Sequence, residues 1–115
     1  MREGIKAVRA FISAHMTSRF MAAWDPNHVE RLTNLAGYRK KNETTDAWDF
    51  YITTGAWPEV TAGFDPKALA AVLVERGLLT PPDSGQRRTQ LIRVPGYGPR
   101  RLYHIPAKIL DGEDG

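Results

Sequence analysis

The stretch QRRTQLIRVPGYGPRRLYHIPAK, Gln86–Lys108, combines a strong turn signal with alternating side chains on both sides of it. In RTQLIRV and RRLYHI, polar and apolar residues alternate, which is the pattern of β-strands. Between them, PGYGP marks a tight turn, and Gly96 and Gly98 can adopt the positive φ that such a turn needs. The stretch therefore predicts a β-hairpin.

The same stretch carries the uncompensated positive charge of the chain. It holds six basic residues and no acid, whereas residues 1–85 hold ten bases and ten acids. The six are Arg87, Arg88, Arg93, Arg100, Arg101 and Lys108. Because both predicted strands open with an arginine pair, we expect one positively charged ribbon that faces an anion. The alternative is a solvated hairpin whose arginines protect an edge strand from aggregation.

Length and composition predict one domain over residues 1–115, with the apolar and charged fractions of an ordinary globular protein. The absence of cysteine excludes disulfides and thiolate chemistry. No apolar run approaches the roughly 20 residues of a membrane span, and the N-terminus lacks the apolar centre of a signal peptide. We therefore expect a cytoplasmic protein. The acidic tail Ile109–Gly115 is expected to fray.

Two long helices are predicted. Residues Glu3–Met16 place Ile5, Val8, Ile12 and His15 on one stripe, as in an amphipathic helix. Residues Asp65–Arg76 form the better-defined helix, because Asp65 suits the N-cap, Pro66 the first turn and Gly77 the position after the end. Short helices are predicted within His28–Leu35 and Thr54–Ala62.

Two further strands, Gly37–Lys41 and Trp48–Thr53, are predicted to pair around a polar loop. Alternation would direct Trp48, Phe50 and Ile52 to the core and Asp49, Tyr51 and Thr53 outward. The lysines at the loop, Lys40 and Lys41, are matched in charge by Glu43 and Asp46, so we assign them no partner molecule.

The order helix, short turn, helix and basic hairpin predicts an α+β, winged-helix-like fold: a helix-turn-helix and a hairpin wing, with an additional N-terminal helix and a small β-hairpin. The second helix has few side chains that could read bases, since Lys67, Glu75 and Arg76 are its only long polar groups. The charge lies in the wing, which predicts contact with phosphates and little sequence specificity.

Eight residues are candidate nucleic-acid contacts. They are Arg87, Arg88, Arg93, Arg100, Arg101, Tyr97, Lys67 and Lys108. Tyr97, at the predicted turn, could stack on a base, although an exposed turn tyrosine need have no such role.

No catalytic constellation is recognisable. The three histidines show no metal-ligand spacing, and the chain has no GxSxG, HExxH or glycine-rich phosphate loop. We therefore expect no enzymatic activity, metal, cofactor or small-molecule substrate.

Five segments together resemble a known family. They are VRAFISAHMTSRF (Val8–Phe20), AGYRK (Ala36–Lys40), FYI with WPEV (Phe50–Val60), GFDPKALAAVLVERGLL (Gly63–Leu79) and IRVPGYGPRRLYHI (Ile92–Ile105). In this order they resemble the C-terminal region of the prophage and cassette-chromosome helicases, domain of unknown function 927, a family of superfamily II helicases and inactivated derivatives.

The resemblance implies a winged-helix-like end that follows an AAA+ helicase motor in proteins of phages and mobile elements. This chain has no Walker lysine, so the resemblance brings no ATPase activity to it, and it supplies no catalytic residue for these positions. The resulting hypothesis is an accessory domain of a replicative helicase or primase that contacts the DNA phosphate backbone, duplex or single-stranded. The alternative is a protein–protein interaction module that docks on the motor or a neighbouring subunit.

Overall fold

Two β-hairpins of this chain join in a single sheet. The structure is a computed structural model, and it describes residues 2–28 and 32–111. The elements are, in order, α1 (Arg2–His15), β1 (Phe20–Met21), β2 (Gly37–Lys41), β3 (Trp48–Thr53), α2 (Trp57–Val60), α3 (Pro66–Glu75), β4 (Gln90–Val94), β5 (Gly98–Ile105) and a 3₁₀ helix (Ala107–Asp111). The fold is therefore α+β, as predicted from the order of the elements.

The sheet has five strands in the order β1-β2-β3-β5-β4. Only β1 and β2 are parallel; the hairpins β2–β3 and β4–β5 are antiparallel, and so is the pair β3–β5 that joins them. In the β3–β5 pair, Phe50 lies opposite Ile105 and Thr53 opposite Leu102. The basic hairpin is thus one half of a continuous sheet, which differs from a wing that projects alone beside a helical unit.

One face of the sheet packs against the helices. Ile5, Val8 and Ile12 of α1 are buried there, as their spacing predicts, together with Phe50 and Ile52 of β3. Leu69 and Leu73 of α3 and Ile109 of the 3₁₀ helix belong to the same cluster. Burial of these apolar side chains is the main favourable contribution to folding.

The predicted caps of α3 are confirmed. The Asp65 carboxylate accepts hydrogen bonds from the backbone N–H groups of Lys67 at 3.0 Å and Ala68 at 3.1 Å, and Pro66 begins the helix. These bonds satisfy donors that the first turn of a helix leaves unpaired.

The opposite face of the sheet is partly covered, which the alternation of β3 did not predict. A second apolar cluster brings Met21 and Ala23 against Tyr38 of β2 and against Val94 and Leu102 of the basic hairpin. The prediction that Asp49 and Tyr51 face outward, toward solvent, is therefore wrong. Asp49 is only 6% exposed, and Tyr51 packs on Trp24 and on His104.

Two local predictions require correction. Residues 32–35 form no helix, and the remainder of the helix predicted for His28–Leu35 includes residues 29–31, which lie outside the described residues. The tail does not fray from Ile109, because the 3₁₀ helix continues to Asp111 and buries Ile109. Residues 112–115 are again outside the described residues. In the described part of the chain, no helix is both long and apolar enough to cross a membrane.

Candidate nucleic-acid interface

The β4–β5 hairpin forms one edge of the sheet, and its turn has the predicted geometry. The Tyr97 N–H donates to the Val94 carbonyl at 2.9 Å, so Pro95 and Gly96 occupy the central positions of a tight turn. Gly96 has φ +83°, which is the conformation that the second central position of a type II turn demands. β4 has one neighbour, β5, and is an edge strand.

The hairpin arginines are divided between the two faces of the sheet. Register places Leu91 opposite Arg101 and Ile92 opposite Arg100. Because side chains alternate along a strand, Arg93 and Arg101 share the face that carries Phe50 and Ile52, whereas Arg100 lies on the other. The prediction of one continuous charged ribbon is wrong in this respect.

Arg87 and Arg88 precede the hairpin. β4 begins only at Gln90, so both arginines belong to the exposed loop that follows Thr80. The Arg101 guanidinium donates to the carbonyl of Thr89 at 3.2 Å and so connects β5 with the end of this loop. The loop and the Arg93–Arg101 face together form the basic edge, which we define as Arg87, Arg88, Arg93 and Arg101.

None of these arginines is compensated by an acid within the described residues. Arg87, Arg88, Arg93 and Arg100 are exposed and Arg101 is half-buried, and no ion pair joins any of them to a carboxylate in residues 2–28 or 32–111. By contrast, Arg19 is buried against Glu59, and its two terminal nitrogens reach the carboxylate at 2.5 and 2.9 Å. Arg19 is therefore a structural arginine, whereas the arginines of residues 87–101 have no acidic partner among the described residues.

Arg100 lies on the other face, near the Tyr38 hydroxyl. Burial raises the pKa of Tyr38, and the positive charge of Arg100 opposes that shift. Arg100 therefore lies beside Tyr38 as well as being exposed to solvent, and we do not include it in the basic edge.

The Tyr97 side chain, at the β4–β5 turn, is only partly accessible to a ligand. Its side chain is 40% exposed, its hydroxyl donates to the Met21 sulfur at 3.4 Å, and its ring lies 5.7 Å from that of Tyr38. The tyrosine that the sequence suggested as a stacking group therefore also anchors the turn to the second apolar cluster.

The two predicted lysine contacts lie at opposite ends of α3. Lys67 is exposed in the first turn, and the Lys108 ammonium lies beside Gly77, 2.8 Å from where a Cβ on that glycine would be. A helix of ten residues separates these ends by about 15 Å. Lys108 is favourably placed near the negative end of the helix dipole, and the two lysines do not extend one another's surface.

A second cation-rich surface, at the β2–β3 turn, was not predicted. The Lys40 ammonium lies 5.3 Å from the centre of the Trp24 ring, while the Arg39 guanidinium and Lys41 ammonium lie 5.3 and 6.0 Å from that of Trp48. Lys41 also pairs with Asp46 at 3.3 Å, in agreement with the predicted charge matching. Lys40, in contrast, contacts the indole of Trp24. Because Trp24 is distant from Lys40 in the sequence, a count of neighbouring charges cannot reveal this contact.

Asp49 and His104 form a polar pair beside this surface. His104 Nε2 lies 2.9 Å from Asp49 Oδ2, and Asp49 Oδ1 accepts from the Ala107 N–H at 3.0 Å. The ring of Tyr51 stacks on that of His104 at 4.6 Å. Burial, aided by the negative charge of Asp49, raises the pKa of Tyr51 to about 12, so this hydroxyl stays neutral at physiological pH. The pair ties β3, β5 and the 3₁₀ helix together.

The histidine and carboxylate positions of the described residues, 2–28 and 32–111, contain no group of three or more that could hold a metal ion. Comparisons of the chain with protein-family models, with curated proteins and with solved structures found no match.

Proposed function

We propose that this domain binds DNA through the phosphate backbone, with the basic edge as the contact surface and little sequence specificity. The single observation that carries the proposal is the set of exposed arginines in residues 87–101 that face no carboxylate in the described part of the chain. Guanidinium groups donate in a planar fork that matches phosphate oxygens, and unpaired clusters of them are typical of nucleic-acid surfaces.

In this proposal the hairpin acts as the wing of a winged-helix-like domain, and α3 adds little readout of bases. The exposed residues of α3 are Lys67, Ala68 and Glu75, of which only Lys67 and Glu75 could hydrogen-bond to a base edge. An accessory role beside a helicase or primase motor of a mobile element rests on the family resemblance and is part of the proposal.

The test compares two charge-reversed double variants. Arg87→Glu/Arg88→Glu alters the basic edge, and Arg2→Glu/Lys6→Glu alters two exposed residues of α1 while changing the net charge equally. We expect the first to weaken binding to two duplexes of unrelated sequence roughly tenfold or more and by the same factor, because phosphates carry no sequence information. The second should leave binding close to that of the parent. Equal losses in both variants would indicate only a net-charge effect.

A second candidate function, docking on an acidic protein surface, is favoured by Leu91. This side chain is 63% exposed on the edge strand β4, between the arginines of the basic edge. Apolar side chains contribute to protein interfaces and little to phosphate contacts. Leu91→Ser should therefore leave DNA affinity unchanged under the DNA-binding proposal, whereas it should weaken co-purification with a helicase motor under the docking alternative.

A further inference from the structure

The β2–β3 turn end of the molecule carries a surface of aromatic rings and cations, distinct from the basic edge. We define it as the Trp24–Trp48 surface: Trp24, Trp48, Lys40 and Lys41, with Arg39 as support. Within residues 2–28 and 32–111, β1 pairs only with Gly37 and Tyr38, so no strand of this part pairs with residues 39–41 of β2 on that side. The two indoles border this edge of β2 from opposite faces of the sheet: Trp24 lies next to Lys40, and Trp48 lies next to Lys41.

Two concavities meet at the lysines. A cavity of about 240 Å³ is lined by Trp24, Trp48 and the three cations, and one of about 330 Å³ by Lys40, Lys41, Tyr51 and His104. Both indoles are half-buried, and each is therefore held by packing while part of it remains accessible. Arg39 is fixed by hydrogen bonds from its guanidinium to the carbonyls of Met16 and Phe20, which positions the strand that carries the lysines.

This surface and the basic edge belong to different parts of the sheet: the β2–β3 turn carries the first, β4, β5 and the loop before β4 carry the second, and β3 lies between β2 and β5. β3 runs from Trp48, at the β2–β3 turn, to Thr53, which lies opposite Leu102. The strand β5 begins at Gly98, beyond the Thr53 end, so the β4–β5 turn extends away from Trp48. One surface can therefore be altered by mutation without touching the other.

We propose that the Trp24–Trp48 surface binds single-stranded nucleic acid, with a base stacked on an indole and the neighbouring phosphates on Lys40 and Lys41. Single-stranded nucleic acid is recognised by aromatic platforms next to positive charge, because every base has a π-face and every nucleotide a phosphate. In a duplex the base faces are already stacked on one another, and this surface then offers only its charge. The preference for single strands follows from the indoles.

The charge of this surface is compensated by nearby acids, which sets the expected salt dependence. Asp25 and Glu43 also line the smaller cavity, Glu43 and Asp49 line the larger one, and Lys41 pairs with Asp46. Contact with two phosphates gives a log–log salt slope of about −1.4 for a single strand. Stacking rather than ion release therefore provides most of the affinity.

The three tryptophans of the chain make the test direct. Trp57 is buried, stacks on Tyr103 at 4.4 Å and donates to the Pro66 carbonyl, so its emission reports folding and should not respond to ligand. We expect a short oligothymidylate to quench the emission of the parent in a saturable way. In Trp24→Phe/Trp48→Phe, only the Trp57 emission remains and should not be quenched.

Affinity is measured in parallel by anisotropy of a labelled oligothymidylate. Loss of the aromatic rings in Trp24→Ala/Trp48→Ala should weaken binding at least about fivefold, as expected for a lost base–aromatic stack. Lys40→Glu should also weaken it, whereas Lys6→Glu, on the exposed face of α1, should not. Thermal unfolding of each variant, followed through Trp57, separates loss of binding from loss of folding. Undiminished oligonucleotide affinity in a folded Trp24→Ala/Trp48→Ala variant overturns the proposal, as does absence of quenching in the parent at low salt.

The outcomes also separate this proposal from the function proposed for the basic edge. Arg87→Glu/Arg88→Glu should leave quenching by oligothymidylate intact, because neither residue lines the two cavities of the Trp24–Trp48 surface. Quenching without duplex binding would refute the basic-edge proposal alone, and duplex binding without quenching would refute the stacking proposal alone.

Discussion

At the scale of single residues, Arg19 shows how an arginine becomes structural in this chain. Its side chain is buried, pairs with Glu59, donates to the Asn34 carbonyl at 2.6 Å and lies 5.1 Å from the centre of the Phe11 ring. Each of the three guanidinium nitrogens therefore has a partner, as burial of a guanidinium requires. The arginines of the basic edge have no such acidic partners among the described residues. We therefore infer that Arg19 stabilises the fold, and we propose a binding role for the basic edge.

The ion pair of Arg19 predicts a pH-dependent contribution to stability. The hydrogen bond from Arg19 lowers the pKa of Glu59 below its ordinary value of 4.5. A carboxylate with a lowered pKa in the folded state stabilises the protein above its unfolded pKa, and this stabilisation is lost as the pH falls through the folded pKa. Glu59→Gln should therefore lower the Tm at pH 7, and the difference from the parent should disappear in acid.

Thermal unfolding between neutral and acidic pH tests this expectation. Glu75→Gln is the control, because Glu75 is exposed and forms no ion pair with any residue that the structure describes. A Tm difference for Glu59→Gln that persists unchanged below the pKa of Glu59 would show that the charge is not the cause.

Gly37 predicts a packing effect at the β2–β3 pair. A Cβ on Gly37 would lie 2.0 Å from the backbone oxygen of Tyr51, and that atom belongs to the neighbouring strand and cannot move aside. Gly37→Ala should lower the free energy of unfolding by about 1–3 kcal/mol, the usual cost of overpacking. Gly55→Ala is the matched control, since nothing lies within 4 Å of its Cβ. Equal urea midpoints for the two variants would contradict the close approach.

At the scale of elements, α3 and the basic hairpin are both specified by residues close to them in sequence. The cap of α3 consists of Asp65 and the two N–H groups that follow it, and the hairpin turn consists of Pro95 and Gly96 between alternating strands. Because such signals act between residues that are close in sequence, they predict both elements without any tertiary contact.

The cap predicts a measurable contribution to stability. Asp65→Ala removes the acceptor of two backbone N–H groups at the start of α3 and should cost about 1 kcal/mol in the free energy of unfolding. Urea denaturation measures the loss. Asp83→Ala, at an exposed loop position, removes the same side chain without a cap, and a comparable loss there would argue against the capping interpretation.

At the scale of the whole molecule, the sheet order could not be predicted from the sequence. Local patterns indicate each hairpin, but the pairing of β3 with β5 depends on residues about fifty positions apart, such as Phe50 and Ile105. The same limit explains the missed burial of Asp49, whose partners His104 and Ala107 come from the other half of the chain. It also explains why Lys40 was assigned to an acid although it contacts Trp24.

The two candidate sites also differ in how much of each could be predicted from the local sequence. The basic edge was predictable in composition, because the arginines lie within one short stretch that lacks acids. Their separation onto two faces depends on strand register, and the sequence predicted a strand that started before Gln90. The Trp24–Trp48 surface depends on the second layer over the sheet and had no local signal.

The salt dependence of duplex binding tests the central claim, that the basic edge binds phosphates, most directly. Contact by the four arginines of the basic edge should give a log–log slope of the binding constant against salt of about −3.6, whatever the DNA sequence. Neutralisation in Arg87→Gln/Arg88→Gln should reduce its magnitude by about 1.8, as two fewer counterions are released. A slope that is unchanged in this variant, or no duplex binding by the parent at low salt, would contradict the claim.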